Sequence, residues 1–355
     1  MDHWDQVASA LHEYKLDAVL LTGRANRFYA SGFNADEEGG MALVTENGNF
    51  FFTDSRYIEA AESKIENAAI ACVDRENSYL DRICDALNMC RCKTVGFEEK
   101  IMTVTDWQHY AEKLTLRPAS AMMAALRESK DPEEIRRMQK AQEIADIAFK
   151  QLLSELRPGM TERQLAARLQ YLAICGGAEK MSFDTIVASG PNGSMPHAVP
   201  TDRKVREGEF ITFDFGCVCD GYCSDTTRTV ALGQVTKEME HIYRIVYEAQ
   251  KAGIAAARSG ITGCRMDAAA RDVIGKAGYG DYFGHALGHS LGIEVHEDPV
   301  AAPRNEKPLP SGTVISVEPG IYLPGKFGVR IEDVVVLDDG GCRDLTGLTR
   351  ELQRL

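Results

Sequence analysis

The sequence has no apolar run that approaches the length of a membrane-spanning helix, so insertion into a bilayer is not expected. Its start, MDHWDQVASALHEYK, carries acids where a signal peptide needs basic residues. The same stretch also lacks the apolar segment that such a peptide requires. We therefore predict a cytoplasmic protein with no membrane partner.

Basic residues are also few. The chain of 355 residues contains 40 lysines and arginines against 53 acids, which gives a formal net charge of −13. A nucleic-acid partner is not expected, because phosphates require a basic surface. The acids either form an ordinary acidic surface that favours solubility or cluster to hold cations.

The ten cysteines, in a chain predicted to be cytoplasmic, indicate reduced thiols rather than a disulfide framework. Cys217, Cys219 and Cys223 lie close together in the sequence. Their C-x-C-x3-C spacing matches no zinc-site pattern, and no second cysteine pair lies nearby. We interpret them as small buried strand residues.

The length favours two domains. The first part alternates short apolar runs with helical patterns, which is typical of a compact α/β domain. Beyond it, Ser129 or Asp131 caps a long helix that has Pro132 at its first helical position. Hairpins and separate helices follow and indicate an α+β fold. The predicted domains are residues 1–126 and 127–355.

Two aspartates lie on the strands of a predicted hairpin whose turn is Asp220-Gly221. In the register that this turn sets, Asp225 faces Gly216, and Asp214 lies on the same face as Gly216. Asp214 and Asp225 are then diagonal neighbours, and their repulsion raises a pKa unless a divalent metal removes the conflict. The alternative is a pair of hairpin acids that face solvent.

Two glutamates follow in apolar surroundings. Glu318 ends the apolar strand TVISV, and Glu332 lies within the strand GVRIEDVVVL, where a glutamate is rarely buried without a partner. The loop YLPGKFG is predicted to join these strands as a hairpin. The segment FGHALGHSLGIEVHEDP, with three of the eight histidines, supplies nitrogen ligands or proton-transfer groups.

Five features occur in a fixed order: PHAVP at 196–200, aspartates at 214 and 225, the histidine segment from 285, EPG from 318, and R-x-E at 330–332. This set resembles the pita-bread (M24) metallopeptidase family, which includes aminopeptidase P, prolidase and methionine aminopeptidase, with creatinase as a metal-free relative. The resemblance covers about residues 127–355. The first 126 residues are similar to the creatinase-like domain of aminopeptidase P and prolidase.

The resemblance implies that two divalent metal ions bind to five ligands: Asp214, Asp225, His289, Glu318 and Glu332. Asp225 and Glu332 would bridge the two ions. An oxygen-rich site suits Mn²⁺ better than structural zinc, with Co²⁺ or Zn²⁺ as alternatives. Three further histidines would face the substrate: His197, His285 and His296. Ser290 departs from the glycine that follows the ligand histidine in many relatives.

The implied reaction is amide hydrolysis by a hydroxide that bridges the two ions. Glu318 would pass the water's proton toward the leaving amine. His285 and His296 would donate hydrogen bonds to the developing oxyanion or hold the substrate. Arg330 would orient carboxylates, contact the substrate or form a salt bridge behind the ligands.

The resemblance and the additional N-terminal domain together favour an Xaa-Pro aminopeptidase, which releases the N-terminal residue from peptides with proline at the second position. Xaa-Pro dipeptidase (prolidase) shares every ligand and stays open. The more remote alternatives are a non-catalytic binding module of the same fold and a metal-free, creatinase-like hydrolase. A homodimer is expected from the resemblance.

Overall fold

The computed structural model describes residues 2–355, and these form two compact units. The first unit ends at Arg127, and the second runs from Glu128 to Leu355. The domain boundary predicted at residue 126 stays a prediction, because a compact unit need not fold independently. None of the described helices is both long and apolar enough to cross a membrane.

The first unit contains one six-stranded sheet with helices around it. The strands are β1 Ala18–Leu21, β2 Met41–Thr45, β3 Gly48–Thr53, β4 Ala69–Cys72, β5 Thr94–Phe97 and β6 Thr115–Pro118. The helices are α1 His3–Leu11, α2 Arg24–Ser31, α3 Ile58–Lys64, α4 Tyr79–Cys90, α5 Val104–Ala111 and α6 Ser120–Glu128. The strand order is β4-β3-β2-β1-β5-β6, with β1 antiparallel to β2 and parallel to β5. The α/β alternation predicted for this part of the chain is confirmed.

The second unit contains four long helices and many short strands. The helices are α7 Pro132–Glu155, α8 Glu162–Cys175, α9 Lys237–Ala256 and α10 Gly263–Lys276. The strands of its first part are β7 Lys180–Met181, β8 Ile186–Ser189, β9 Glu209–Phe215, β10 Cys217–Cys219, β11 Tyr222–Cys223 and β12 Thr226–Leu232. Those of its second part are β13 Gly288–Ser290, β14 Glu297–Ala301, β15 Val314–Val317, β16 Gly320–Leu323, β17 Phe327–Arg330, β18 Asp333–Asp338 and β19 Gly341–Asp344.

The strands of the second unit pair antiparallel in four sheets, in the orders β11-β10-β7, β12-β9-β8, β14-β13-β15-β18-β19 and β16-β17. Antiparallel sheets with helices in separate pairs make this unit α+β, as predicted. Cys217, Cys219 and Cys223 are buried on β10 and β11, which matches their interpretation as strand residues.

Sequence signals explain where the first helices of this unit begin. The Asp131 carboxylate accepts hydrogen bonds from the backbone N–H groups of Glu133 and Glu134, so Asp131 rather than Ser129 is the N-cap of α7. Thr161 and Gln164 form the capping box of α8 in the same way. Both helices therefore start at fixed positions beside the β9–β12 hairpin.

Two apolar cores divide the second unit into halves. One core joins α7 and α8 to β8, β9 and β12, with Phe149 and Phe213 among its fully buried side chains. The other joins α9 and α10 to β15, β17 and β18, with Ile242 and Val335 fully buried. Strand ends from both halves meet between these cores.

The chain near Glu332 differs from the prediction of one continuous strand. The run GVRIEDVVVL is divided into β17, which pairs with β16, and β18, which pairs with β15. Glu332 lies where the chain leaves one sheet and enters the other, and its backbone N–H donates to the Thr227 carbonyl. The loop YLPGKFG consequently joins β16 to β17 rather than the TVISV strand to its partner.

Candidate metal centre and active-site cleft

One cleft of about 740 Å³ in the second unit brings together every residue predicted to form the site. Its lining includes Asp214, Asp225, His289, Glu318, Glu332, His197, His285, His296 and Arg330. Their convergence is a structural fact, while the role of each residue stays a prediction.

The hairpin register predicted for the two aspartates is confirmed. Both central residues of the turn have positive φ, as a two-residue hairpin turn requires. Thr227 stands opposite Asp214, and the same register sets Asp225 opposite Gly216. A Cβ on Gly216 would lie 1.9 Å from the Ser224 carbonyl oxygen, so only glycine allows this close approach.

The predicted ligands from the two halves come close together. Asp225, His289 and Glu332 each offer a ligand atom, and these atoms lie within 4.8 Å of one another. His289 Nε2 is 3.7 Å from an oxygen of Asp225 and 3.4 Å from an oxygen of Glu318. Asp225 directly precedes β12, and Glu318 directly follows β15. Oxygen and nitrogen atoms of distant strands are thus close enough together to bind the same cation.

Two carboxylate oxygens in this group are buried without a hydrogen-bond donor among residues 2–355: Asp225 Oδ1 and Glu332 Oε1. Buried polar atoms nearly always have a partner, because a desolvated acceptor without one is costly. A divalent cation would supply the missing partner to both oxygens at once. The donor set present in the chain therefore fits a metal centre.

Burial and mutual repulsion raise the pKa values of these acids. Burial raises the pKa of Asp225 well above its usual value, and the charges of Asp214 and Glu318 raise it further. Burial, followed by the charge of Asp225, raises the pKa of Glu332 in the same way. Burial also raises the pKa of Glu318 to about 7, although the Arg330 charge opposes this shift. Bound cations would reverse these shifts, because they favour the ionised carboxylates.

His289 is oriented as a metal ligand would be. Burial lowers its pKa, which favours the neutral ring. Its Nδ1–H donates to the Ser290 carbonyl at 3.2 Å, so the lone pair of Nε2 faces the acids.

One buried ammonium group contacts the side chains that directly follow two cleft histidines in the sequence. Lys130 Nζ lies 3.0 Å from Ser290 Oγ and 3.1 Å from Glu297 Oε2. Ser290 directly follows His289, and Glu297 directly follows His296. The Lys130 and Glu297 side chains are only 2% and 5% exposed, which makes the ion pair an interior one. The serine that departs from the family's glycine thus ties the strand of His289 to Lys130.

Arg330 is buried, and its contacts include the cleft residue Asp214 and two neighbouring hydroxyl groups. Its guanidinium forms an ion pair with Asp214, and its Nε donates to Thr227 Oγ1 at 3.0 Å. Its Nη1 donates to Tyr322 Oη at 2.9 Å. These contacts agree with the carboxylate-orienting alternative, whereas a contact with substrate stays a prediction.

His285 has both ring nitrogens engaged within the protein. Its Nδ1–H donates to the Ala286 carbonyl at 2.8 Å, and its Nε2 accepts from Tyr322 Oη at 2.8 Å. Burial lowers the pKa of His285 to about 4, so the ring is neutral at pH 7. No ring N–H is then left for a substrate, and the oxyanion role predicted for His285 finds no support in this geometry. The ring instead supports Tyr322, and through it Arg330.

His197 and His296 are the exposed histidines of the cleft. The rings of His296 and His289 meet edge to face, with their centroids 4.5 Å apart. Partial burial lowers the pKa of His296. Both exposed histidines are accessible to a bound peptide.

Two residues that lie behind the cleft, Tyr322 and Lys130, were not predicted from the sequence. Tyr322 lies on β16, two residues after Gly320, which pairs with Arg330 on β17. A register set by the Pro-Gly turn in YLPGKFG would have brought Tyr322 near Arg330. Lys130 carries no such signal, because its partner Ser290 lies 160 positions away.

Comparisons with known proteins agree with this geometry. The model of metallopeptidase family M24 matches residues 136–339, and the model of the creatinase/prolidase N-terminal domain matches residues 4–129. Xaa-Pro dipeptidase from Pyrococcus horikoshii is 34% identical, over 98% of this chain and 97% of that protein.

Two solved structures are similar over the full chain. Xaa-Pro dipeptidase from Bacillus anthracis has a TM-score of 0.95 and 36% identity, covering 100% of this chain and 99% of that one. X-Pro aminopeptidase from Thermotoga maritima has a TM-score of 0.92 and 37% identity, covering 100% of both chains.

The fold and the cleft of carboxylates and imidazole define a metallopeptidase. The chain belongs to metallopeptidase family M24 and carries the creatinase/prolidase type of N-terminal domain. The predicted fold, a pita-bread catalytic domain preceded by this smaller domain, is confirmed.

Proposed function

We propose that the chain is an Xaa-Pro dipeptidase that hydrolyses dipeptides with proline at the second position. At the coarser level it is a metallo-exopeptidase of the Xaa-Pro type. The observation that carries the metal-dependent reaction is the buried cluster of acids and His289, with two carboxylate oxygens that lack a donor among residues 2–355. The dipeptide substrate is supported by the two dipeptidases among the three relatives described above.

The family implies two divalent ions, which this cleft would hold through Asp214, Asp225, His289, Glu318 and Glu332. Asp225 and Glu332, each with one buried oxygen that has no donor among residues 2–355, would be shared by the two ions. Oxygen-rich donors favour Mn²⁺, while Co²⁺ and Zn²⁺ stay alternatives. When bound, such a pair of ions polarises the scissile carbonyl and lowers the pKa of a water molecule toward neutrality.

The chain's own groups would handle the proton and the substrate. Glu318, a carboxylate that lines the cleft, can accept the proton of the attacking water and return it to the leaving nitrogen of proline. The exposed rings of His197 and His296 can donate hydrogen bonds to the substrate carbonyl or hold the peptide. Arg330 holds the Asp214 carboxylate in place through their ion pair.

A bond to proline suits such a site. The amide nitrogen of proline carries no hydrogen, so an enzyme that grips that hydrogen loses a contact. A cleft that recognises the carbonyl oxygen and the free amino terminus does not depend on it. The same features suit an Xaa-Pro aminopeptidase, which is the activity that the sequence analysis favours. The similar structure from Thermotoga maritima is also named as an X-Pro aminopeptidase. Homodimer formation and a cytoplasmic location also stay predictions.

Peptide length distinguishes the two activities. We expect the Mn²⁺-loaded protein to release proline from Ala-Pro and Leu-Pro and to cleave Ala-Pro-Ala at least tenfold more slowly. Product release can be followed by chromatography, with Ala-Ala as the control for the proline requirement. Equal or faster cleavage of the tripeptide would support the aminopeptidase, and no cleavage of any Xaa-Pro peptide would reject both.

A further inference from the structure

A fully buried acid outside the metal cluster begins helix α8. Glu162 has no exposed surface and no counter-ion in direct contact among residues 2–355. An ionised carboxylate in the interior requires a full set of hydrogen-bond donors. Its place at the first turn of a helix also favours negative charge, because the helix N-terminus carries partial positive charge.

The donors to Glu162 come from two stretches of chain. One carboxylate oxygen accepts from the Ser189 N–H at 2.8 Å and the Ser189 hydroxyl at 2.7 Å. The other accepts from the Thr201 N–H at 3.0 Å and the Thr201 hydroxyl at 2.6 Å. The Asn192 amide donates to both oxygens, at 3.1 and 3.0 Å. One side chain therefore joins residues 189 and 201.

The chain between these two points is the loop that carries His197, and we call residues 189–201 the His197 loop. It begins with a 3₁₀ turn at Gly190–Ser194. Its second half, PHAVP at 196–200, lines the cleft. Both ends of a cleft-forming loop are thus fastened to one carboxylate.

The middle of the His197 loop has a separate support on β17. A Cβ on Gly328 would lie 2.0 Å from the Gly193 carbonyl oxygen, so the two backbones touch there. Arg330 Nη1 donates to the Pro196 carbonyl at 3.4 Å. Because β17 would still hold the middle after Glu162 is changed, the loop is expected to loosen rather than unfold.

We infer that Glu162 is a positioning residue that holds the His197 loop, and hence the His197 ring, at the substrate side of the cleft. This inference rests on the proposed function only in giving His197 a substrate contact. Displacement of a substrate-binding group by about 1 Å can reduce turnover by roughly 100-fold. Glu162 contacts none of the predicted metal ligands, so metal binding is not expected to depend on it.

Glu162→Gln tests the inference, because the amide group keeps the shape but loses one acceptor oxygen. We expect kcat/KM for Ala-Pro to fall by roughly 10- to 100-fold while calorimetric Mn²⁺ affinity stays unchanged. Amide hydrogen exchange across residues 190–200 should accelerate relative to β9 and β12. Glu155→Gln, which removes an acid paired with Arg168 near the surface, is the matched control and should resemble wild type in all three measurements.

A double-mutant cycle with His197→Ala separates positioning from general structure. If Glu162 acts through His197, the loss of kcat/KM in the double variant equals the loss in whichever single variant is less active. Losses of kcat/KM that multiply in the double variant, or unchanged amide hydrogen exchange in the loop, would overturn the inference.

Should Glu162→Gln fail to fold, Thr201→Val removes one donor and is expected to show the same changes at smaller size. If the wild type cleaves no Xaa-Pro peptide, the proposed function fails, but hydrogen exchange still decides whether Glu162 fastens the loop.

Discussion

Asp225 and Glu332 are carboxylates that are almost removed from water, with 4% and 1% of their surfaces exposed. An acid in such a place takes up a proton or acquires a cation, because isolated buried charge is too costly. One proton would neutralise only one of the two carboxylates. Divalent cations would satisfy both acids together with Asp214 and Glu318, which explains why so many acids converge on one cleft.

The buried His285 ring leads to a prediction about how folding stability depends on pH. Its pKa falls from 6.5 to about 4 on burial, so between these values the unfolded chain binds the proton and the folded chain does not. Stability due to this ring is therefore complete above pH 6.5 and is lost as the pH falls toward 4. We expect the wild type to lose on the order of 2 kcal/mol more than His285→Gln between about pH 7 and pH 4.5.

Urea denaturation of the metal-free proteins at several pH values measures this difference. His12→Gln changes an exposed histidine in the other unit and serves as the control. Parallel profiles of stability against pH for the wild type and His285→Gln would show that burial does not lower the pKa of His285.

At the scale of elements, the hairpin around Asp214 and Asp225 could be predicted because local rules determine it. The Asp-Gly turn sets the register, and the period of two along each strand sets the face. Glu332 could only be placed approximately, since no local signal shows that the chain changes sheets between β17 and β18. Prediction therefore succeeded where the contacting residues are close in sequence. It was only approximate where the position of a residue depends on which sheet its strand joins.

Lys130 leads to a prediction at this scale, since it fastens β13 and β14 behind the cleft. Lys130→Met should lower stability by about 3–5 kcal/mol, because it leaves Glu297 as a buried acid without its ion pair. It should also weaken Mn²⁺ binding roughly 10- to 100-fold, because the strand of His289 is no longer held. Denaturation and calorimetry measure the two effects.

Two further variants isolate the cause. Lys130→Met/Glu297→Gln also removes the acid of the broken ion pair, so stability should partly return while Mn²⁺ affinity stays low. Lys140→Met breaks the exposed Lys140–Asp220 pair and should leave stability close to that of the wild type. Normal Mn²⁺ affinity in Lys130→Met would mean that this ion pair does not position the ligand.

At the scale of the whole molecule, the predicted metal centre joins two halves of the second unit. Asp214 and Asp225 come from the half of α7 and α8, whereas His289 and Glu318 come from the half of α9 and α10. The order of the motifs along the chain was sufficient to indicate the family, whereas the ligand set stays a prediction whose members line one cleft. Long-range contacts such as that of Lys130, and the closure of the His197 loop by Glu162, depend on packing that no local pattern encodes.

Metal stoichiometry tests the central claim most directly. The metal-stripped protein should be dialysed to equilibrium against Mn²⁺ and the bound metal measured by mass spectrometry, for the wild type and for Asp225→Asn. The wild type should bind two ions per chain, and Asp225→Asn, which removes the carboxylate proposed to be shared, should bind at most one weakly. Fewer than one ion per wild-type chain, or equal binding by the variant, would contradict the claim that divalent cations hold these acids together.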